Sequence, residues 1–232
     1  MLKQTDEIGM AIPLLEAIEI TGKDISTDAL LTQRKLADYL VTQRGAHYHF
    51  SVKANQPTLH QDLALYFHNR QAPDYIEPSA CEHGRIETRS IWTTTALNGY
   101  LAFPHVAQAF VVERHSIEKK TGKLSRELAY GITSRRPDQA SPKRLLEINR
   151  GHWVIENSCH YILDWHYDED RSRIRTGYGP ENITRLRRFA ISVIKSKNVR
   201  SVAQTMRRLN RSMRLVFDYL RMTKNSCTAP CA

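Results

Sequence analysis

The sequence predicts an α/β fold in three parts: an alternating strand and helix layer, a set of antiparallel strands, and a helical C-terminal part. Strand and helix patterns alternate over residues 24–70, an order typical of a parallel α/β layer. Three strand patterns then follow one another over 86–133 without a helix between them, which is typical of antiparallel pairing. After Ser141, apolar residues recur at helical spacing almost to the end of the chain.

The first elements follow from short-range patterns. Residues 7–19 place Ile8, Ile12, Leu15 and Ile18 on one face of a helix, in which Pro13 predicts a kink or a restart. A β-branched run over 24–27 predicts a strand that ends at Asp28. The pattern then predicts a helix over 29–44 closed by Gly45, a strand over 46–52, a turn over 53–57 and a helix over 58–70.

The later elements are three strands and three helical stretches. The strands are expected over 86–94, 107–115 and 124–133, with Thr121-Gly122 as the turn between the last two. Pro180 is placed to open a helix after the break at 177–179. Helical spacing covers 143–164, 181–197 and 199–221, and the last stretch fits a coiled-coil seam or one or two core-facing helices.

Composition excludes several classes of protein. The chain has 232 residues, of which 41% are apolar, so it has enough material for a core and is not of the disordered class. No apolar run approaches the roughly 20 residues of a membrane helix, and the N-terminal residues lack the layout of a signal peptide. Four unevenly spaced cysteines do not form a disulfide framework. We therefore expect a cytoplasmic protein.

Positive charge is concentrated in the C-terminal part of the chain. The net charge is +10, yet residues 1–133 hold 14 basic and 15 acidic residues. From Arg171 onward there are 15 basic residues and only two acidic ones, Glu181 and Asp218. Such a concentration favours a polyanionic partner, and the scarcity of aromatic residues there favours phosphate contacts over base stacking. The alternative is a basic face whose only effect is on solubility.

Two carboxylates, Asp28 and Glu156, are candidate functional residues because of their positions in the predicted elements. Asp28 follows a predicted parallel strand, and sites in α/β sheets gather at such carboxyl ends. An ordinary helix N-cap is the alternative role for Asp28. Glu156 is flanked by apolar residues on a predicted helix, where a carboxylate is costly unless it is paired or binds a cation. The alternative for Glu156 is an ion pair with Arg150 or another basic neighbour.

A zinc site is a weaker interpretation of the same region. His152, Glu156, His160 and Asp164 recur every four residues and share one stripe of a helix, but four residues in a row cannot all converge on one ion. A further acidic cluster comprises Asp164, Asp168, Glu169 and Asp170. It is interpreted as pairing with Arg171, Arg173 and Arg175.

Several separated motifs in a fixed order resemble one family. They are Thr27-Asp28-Ala29-Leu30-Leu31-Thr32-Gln33, Val52-Lys53-Ala54-Asn55-Gln56-Pro57, His83-Gly84-Arg85-Ile86-Glu87-Thr88-Arg89, and then Arg150-Gly151-His152-Trp153-Val154-Ile155-Glu156-Asn157 with Leu163-Asp164 and Glu169-Asp170. Together they resemble bacterial insertion-sequence DDE transposases of the group that includes the H-repeat-associated proteins. The resemblance extends over residues 5–195.

The resemblance implies a fold, a reaction and a metal site. It implies a ribonuclease-H-like core with an antiparallel β insertion before the last catalytic helix, and a cytoplasmic role in DNA transposition. By motif, Asp28 resembles the second Asp of the catalytic triad and Glu156 its Glu. Both would be catalytic and would bind two Mg²⁺ (or Mn²⁺) ions, which require hard oxygen ligands for phosphoryl transfer.

The resemblance and the charge also imply DNA as partner, at the transposon ends. The candidate DNA-binding residues are Lys53, Asn55, Arg85, Arg89, Arg150, Arg171, Arg173, Arg175, Arg187 and Arg188. The alternative for the motif residues among them is structural pairing.

One motif of the family is missing. The family carries its first catalytic Asp in an Asp-Gly-Lys motif, which occurs nowhere in the 232 residues. The resemblance therefore implies an N-terminally truncated chain that lacks the first core strands and has little or no strand-transfer activity alone. The alternative is a non-catalytic DNA-binding remnant, or a partner of a full-length transposase or of a second copy.

The predicted division is a partial core over 1–84, a β insertion over 85–140, the catalytic and core-completing helices over 141–197, and a basic helical segment over 198–232.

Overall fold

A computed structural model describes residues 7–82, 84–155, 161–169, 171–199 and 201–223. The chain forms two compact units, residues 1–152 and residues 153–232, and each is described by itself. The first unit contains a mixed α/β arrangement around one sheet, and the second is helical.

The first unit is built on a seven-stranded sheet. Its strands are β1 (Asp24–Thr27), β2 (His47–Val52), β3 (Tyr75–Ile76), β4 (Ala80–Glu82), β5 (Arg85–Thr94), β6 (Gln108–Glu118) and β7 (Leu124–Thr133). The order is β1-β2-β7-β6-β5-β3, with β4 also paired to β5. Strands β1 and β2 are parallel, and β5, β6 and β7 are antiparallel, as predicted. The short strands β3 and β4 were not predicted, and both pair antiparallel with β5. Because β7 pairs directly with β2, the antiparallel strands continue the sheet of the parallel pair.

Four helices belong to the same part of the chain. They are α1 (Glu7–Glu16), α2 (Arg34–Asp38, continued by a π-helical turn, Tyr39–Gln43), α3 (Pro57–Tyr66) and α4 (Pro142–Ile155). The prediction that a helix begins at residue 29 was wrong. The segment 28–33 is instead a turn, in which the Asp28 carboxylate accepts the backbone N–H of Leu31 and the Thr32 hydroxyl donates to the carbonyl of Ser51. The predicted closure at Gly45 fits its φ of +57°.

The sheet is covered on both faces. On one face, Tyr48, Phe50 and Val52 of β2 pack with α2 and α3, whose Leu40 and Leu63 are fully buried. On the other face, buried residues of β5 and β6 pack against buried residues of α4; the cluster comprises Ile91, Phe110, Val112, Ala140, Leu145, Leu146 and Ile148. Burial of each such side chain contributes roughly 1.5–3 kcal/mol of stability.

A glycine in β7 makes room for an aromatic ring. Gly131 pairs with Phe110 on one side and with Ser51 on the other. A Cβ at Gly131 would lie 2.2 Å from the Phe110 ring and 2.8 Å from the carbonyl oxygen of Phe50. The Phe110 ring can therefore lie across β7 and stack on His49 of β2, with ring centroids 4.5 Å apart and an interplanar angle of 22°.

The second unit is helical, and two of its helices are short and begin at serine caps. Its elements are a π-helical turn (Ile162–His166), α5 (Gly179–Lys195), α6 (Val202–Leu209) and α7 (Met213–Tyr219). Pro180 lies in the first turn of α5, as predicted. The expected helical stretch over 199–221 is two helices, because Ser201 and Ser212 each accept a backbone N–H as N-caps. Ile162, Leu163 and Ile191 form its buried cluster.

Candidate active site and nucleic-acid interface

Asp28 lies directly after β1, at the carboxyl end of the parallel pair. Lys53 follows β2 at the same edge of the sheet, because β1 and β2 run in the same direction. Both residues are exposed. Carboxyl ends of parallel strands are where ligand sites of α/β sheets form. The structure therefore brings a carboxylate and an ammonium group to the same sheet edge.

Asp28 is held by its own turn. Its Oδ1 atom accepts the backbone N–H of Leu31 at 3.2 Å, so it caps the turn 28–32 and not a helix that begins at residue 29. Among the described residues, its Oδ2 atom has no hydrogen-bond partner and the carboxylate has no ion pair. One exposed oxygen of Asp28 thus remains available to a ligand.

Side-chain amides join the Asp28 turn to the loop after β2. The Asn55 amide donates to the carbonyl of Ala29 at 2.5 Å, and the Gln56 amide donates to the carbonyl of Thr32 at 2.9 Å. The Thr32 hydroxyl donates to the carbonyl of Ser51 at 2.6 Å. These three bonds fix the two loops against each other, so the position of Asp28 depends on Ser51 of β2 and on Asn55 and Gln56 of the loop after β2.

Asp28 offers a single donor of the type that suits a hard cation. A carboxylate oxygen that is exposed and not paired is the kind of ligand that Mg²⁺ and Mn²⁺ prefer. Glu156, the second candidate ligand, lies outside the described residues. Within the described part of the chain, no three His, Cys, Asp or Glu residues converge as a metal site. Of the predicted zinc stripe, Glu156 and His160 lie outside the described residues as well.

Helix α4 packs across the sheet face next to β1 and β2. Arg144, near its start, pairs with Asp24 at 3.5 Å, and Asp24 begins β1. His152, two turns later, lies close enough to His49 to influence its charge. His49 lies beside Ser26 of β1, two residues after Asp24. From Arg144 beside Asp24 to His152 near His49, helix α4 therefore runs in the same direction as β1.

Burial sets the protonation state of His49. The residue is 3% exposed, and neither ring nitrogen has a partner among the described residues. Desolvation by burial lowers the pKa of His49 to about 3, against a small opposing effect of Asp24. His49 is therefore a neutral ring at physiological pH, stacked in the core.

The candidate DNA-binding residues of the first unit divide into two kinds. Lys53 and Arg85 are exposed, and neither has a side-chain partner among the described residues. Asn55 uses its amide to join the loops. Arg89 pairs with Glu87 at 2.5 Å and with Glu77 at 3.4 Å, and Arg150 reaches the same Glu77 at 2.5 Å. Structural pairing thus accounts for the contacts of Arg89 and Arg150.

The candidates of the second unit divide similarly. Arg187 is largely buried, with a side chain 13% exposed that lies 3.8 Å from Glu169. Arg171 is exposed and lies 3.7 Å from Asp168. The other three candidates are exposed and have no carboxylate partner among the described residues: Arg173, Arg175 and Arg188. Of the predicted acidic cluster, Asp168 does pair with Arg171, whereas Asp170 lies outside the described residues.

Sequence patterns did not single out two further charged groups. Glu113 of β6 is buried and accepts hydrogen bonds from Arg126, Arg70 and His115, and these bonds lower its pKa to about 2. A row of exposed arginines in α6, α7 and their flanking residues was covered only by the charge count over the C-terminal part.

Within the described ranges, none of the helices has the length and apolar character needed to cross a membrane.

Comparison with known proteins assigns the family. The family model described as the transposase DDE domain matches residues 3–193. YbfL of Escherichia coli K12 is 30% identical over 85% of this chain and 54% of its own length. YhhI of the same strain, named as an H repeat-associated inferred transposase, is 29% identical over the same shares, 85% and 54%.

YncI of Escherichia coli O157:H7, named as an inferred transposase, is 25% identical over 97% of this chain and 58% of its own length. The chain thus spans little more than half the length of these relatives. The match of the family model to most of the chain, with the ordered motifs around Asp28 and Lys53, shows that the chain belongs to the DDE transposase family.

Proposed function

We propose that this chain acts in DNA transposition, binding DNA and supplying Asp28 and Glu156 as the ligands of divalent metal ions. The observation that carries the proposal is the exposed Asp28 carboxylate at the carboxyl end of β1, with one oxygen not engaged by any described residue. The family match to residues 3–193 supports the same assignment.

The chemistry of the family explains why carboxylates are needed. Two Mg²⁺ or Mn²⁺ ions, when bound, favour ionisation of an attacking water or 3′-hydroxyl and stabilise the leaving oxygen of a phosphodiester. The role of Asp28 is to present an oxygen from a turn that is fixed by the Asn55 and Gln56 amides. Glu156 follows His152 by four positions in the sequence. The proposed role of Lys53, whose ammonium group is exposed at the same end of the sheet, is to attract the DNA backbone.

We also propose that the parallel pair belongs to a ribonuclease-H-like core. The support is the order β1, α2, β2, with β1 and β2 parallel and α2 and α3 packed on one face. Within the described residues, β1 pairs only with β2, so its other edge keeps unpaired backbone groups. Such an edge favours pairing with another chain, and the proposed partners are a second copy or a full-length transposase in the cytoplasm.

A metal-binding measurement tests the ligand assignment. Mn²⁺ binding to the full chain, followed by electron paramagnetic resonance, is expected to weaken at least tenfold in Asp28→Asn and in Glu156→Gln. Asp138→Asn is the matched control, because Asp138 is an exposed carboxylate elsewhere on the same unit, with a side chain 65% exposed. Equal Mn²⁺ affinity in the parent and in Asp28→Asn would contradict the assignment.

A nicking assay tests activity. The family's Asp-Gly-Lys motif is absent from the sequence, and we therefore propose that this chain alone has little or no strand-cleavage activity. The full chain is expected to leave supercoiled plasmid intact in Mg²⁺ at concentrations at which it binds the DNA. Mg²⁺-dependent nicking that disappears in Asp28→Ala or Glu156→Ala would show the chain to be an active enzyme. Binding without nicking is the result expected of a DNA-binding partner of a complete transposase.

A further inference from the structure

A group of arginines in residues 201–223 has no partner among the residues that the structure describes. Residues 201–223 carry five arginines and one acidic residue, Asp218. All five are exposed, and no described residue forms a hydrogen bond or ion pair with their guanidinium groups; they are Arg207, Arg208, Arg211, Arg214 and Arg221. The Asp218 carboxylate accepts a hydrogen bond from the Thr223 hydroxyl. Five positive charges are therefore available to an external anion.

Most arginines of the sheet unit behave differently, Arg85 being an exception. Arg89, Arg114, Arg126 and Arg135 each pair with a carboxylate of the same unit. Exposed ion pairs contribute little to stability, but they do neutralise the charge that a ligand would meet. The contrast indicates that the arginines of 201–223 do not serve the packing of their own unit.

The backbone of this segment has the layout of a helix-turn-helix. Helices α6 and α7 are joined by the three residues 210–212, and each begins at a serine cap. The apolar side of α6 faces inward, since Val202 packs on the cluster of Ile162, Leu163 and Ile191. A pair of short helices joined by a turn of three or four residues is the layout with which many proteins enter the major groove.

The positive charge surrounds α7. Arg207 and Arg208 lie in the last turn of α6, and Arg211 lies between the two helices. Arg214 lies in the first turn of α7, and Arg221 follows that helix. Phe217 is the exposed aromatic residue of α7, with 41% of its surface accessible. Single-strand binding relies on several stacked aromatic residues, whereas phosphate contacts along a duplex rely on guanidinium groups. The composition of this surface favours duplex DNA.

We propose that residues 201–223 form a helix-turn-helix that binds duplex DNA through phosphate contacts of Arg207, Arg208 and Arg211. The proposal rests on the proposed function, because it names the surface through which this member of a transposase family holds DNA. It is independent of Asp28 and Glu156, and it assigns DNA affinity to arginines that the family motifs do not include.

The test compares two triple variants of the full chain. Arg207→Gln, Arg208→Gln and Arg211→Gln are combined in one variant. The matched control combines Lys119→Gln, Lys120→Gln and Lys123→Gln, which remove the same charge from exposed positions at the β6–β7 hairpin. Binding to a fluorescein-labelled 30-base-pair duplex is followed by fluorescence anisotropy between 50 and 200 mM NaCl. Circular dichroism and thermal melting show that both variants keep the fold.

The arginine variant is expected to lose at least tenfold in affinity at 50 mM salt. The slope of log K against log salt should fall by about 2.7 if all three side chains contact phosphates. The lysine variant should change affinity less than threefold. Equal binding by the arginine variant and the parent would overturn the proposal, as would a preference of the parent for the single strand of the same sequence.

The Mn²⁺ measurement separates this proposal from the proposed function. Loss of duplex binding in the arginine variant, with Mn²⁺ affinity unchanged, supports the helix-turn-helix assignment whatever the outcome for Asp28. Retention of duplex binding in that variant, together with loss of Mn²⁺ affinity in Asp28→Asn, overturns this assignment and leaves the metal-ligand assignment standing.

Discussion

Acid should destabilise the fold through His49, and His49→Leu should remove that effect. The ring is 3% exposed and has no hydrogen-bond partner among the described residues. Burial lowers its pKa from 6.5 to about 3 in the folded state. The unfolded chain therefore binds a proton at a pH at which the folded chain does not, so this residue destabilises the fold as pH falls from about 6.5 towards 3.

The size of the effect follows from the two pKa values. Between pH 7.5 and pH 5.0, the free energy of unfolding of the parent should fall by about 2 kcal/mol on account of His49. The groups of other elements that act on the ring are Asp24 from β1, which opposes the shift, and His152 from α4, which adds to it. Leu has nearly the volume of His and does not titrate, so the variant should lose this pH dependence.

Urea denaturation at the two pH values measures the difference. His68→Leu is the matched control, since His68 is exposed, and it should show the same fall in unfolding free energy as the parent. The reasoning would be refuted by a His49→Leu variant whose unfolding free energy falls between pH 7.5 and 5.0 as much as that of the parent.

Three more substitutions test the packing and the loops. Gly131→Ala should destabilise the fold by about 1–3 kcal/mol, because its Cβ would overlap the Phe110 ring and a backbone carbonyl. Asn55→Ala should cost about 1 kcal/mol, because the turn that carries Asp28 loses a hydrogen bond. Glu113→Gln should cost about 2–3 kcal/mol, because Arg70 and Arg126 lose their carboxylate. The parent should also lose the Glu113 contribution as pH falls from about 4.5 to 2, since the folded pKa is about 2.

Each substitution has a control at a position without the contact, and urea denaturation measures all of them. Gly151→Ala, on α4, meets nothing within 4 Å and should leave stability unchanged or higher. Asn69→Ala, at an exposed turn, and Glu16→Gln, on an exposed carboxylate of α1 that has no ion pair among the described residues, should change stability by less than about 0.5 kcal/mol. A test variant that is as stable as its control would contradict the role given to that residue.

Local patterns predicted the elements that form the site, but not the contacts that hold it. The strand before Asp28 and the parallel pairing with β2 follow from β-branched runs and element order. The sequence predicts residues 29–33 as the start of a helix, whereas the structure has a turn whose side-chain hydrogen bonds reach another loop. Thr32 donates to the carbonyl of Ser51, and Asn55 donates to the carbonyl of Ala29. Backbone acceptors leave no trace in residue types, so this error could not be avoided from the sequence.

Charge pairing shows the same limit. Arg89 and Arg150 are 61 positions apart, yet both reach Glu77, whose sequence surroundings give no sign of either contact. The opposite case is the C-terminal part, where the count of 15 basic to two acidic residues left too few carboxylates for pairing. This imbalance explains why α6 and α7 carry exposed arginines that have no partner in the described part of the chain.

The contact between Gly131 and Phe110 has a consequence for how this sequence can vary. The ring occupies the space that any side chain at position 131 would need, and it reaches His49 only because that space is empty. In related sequences, a larger residue at position 131 should therefore occur together with a smaller residue at position 110. Positions 110 and 131 should covary, and a sequence with a bulky residue at both would have to rebuild the stacking on β2.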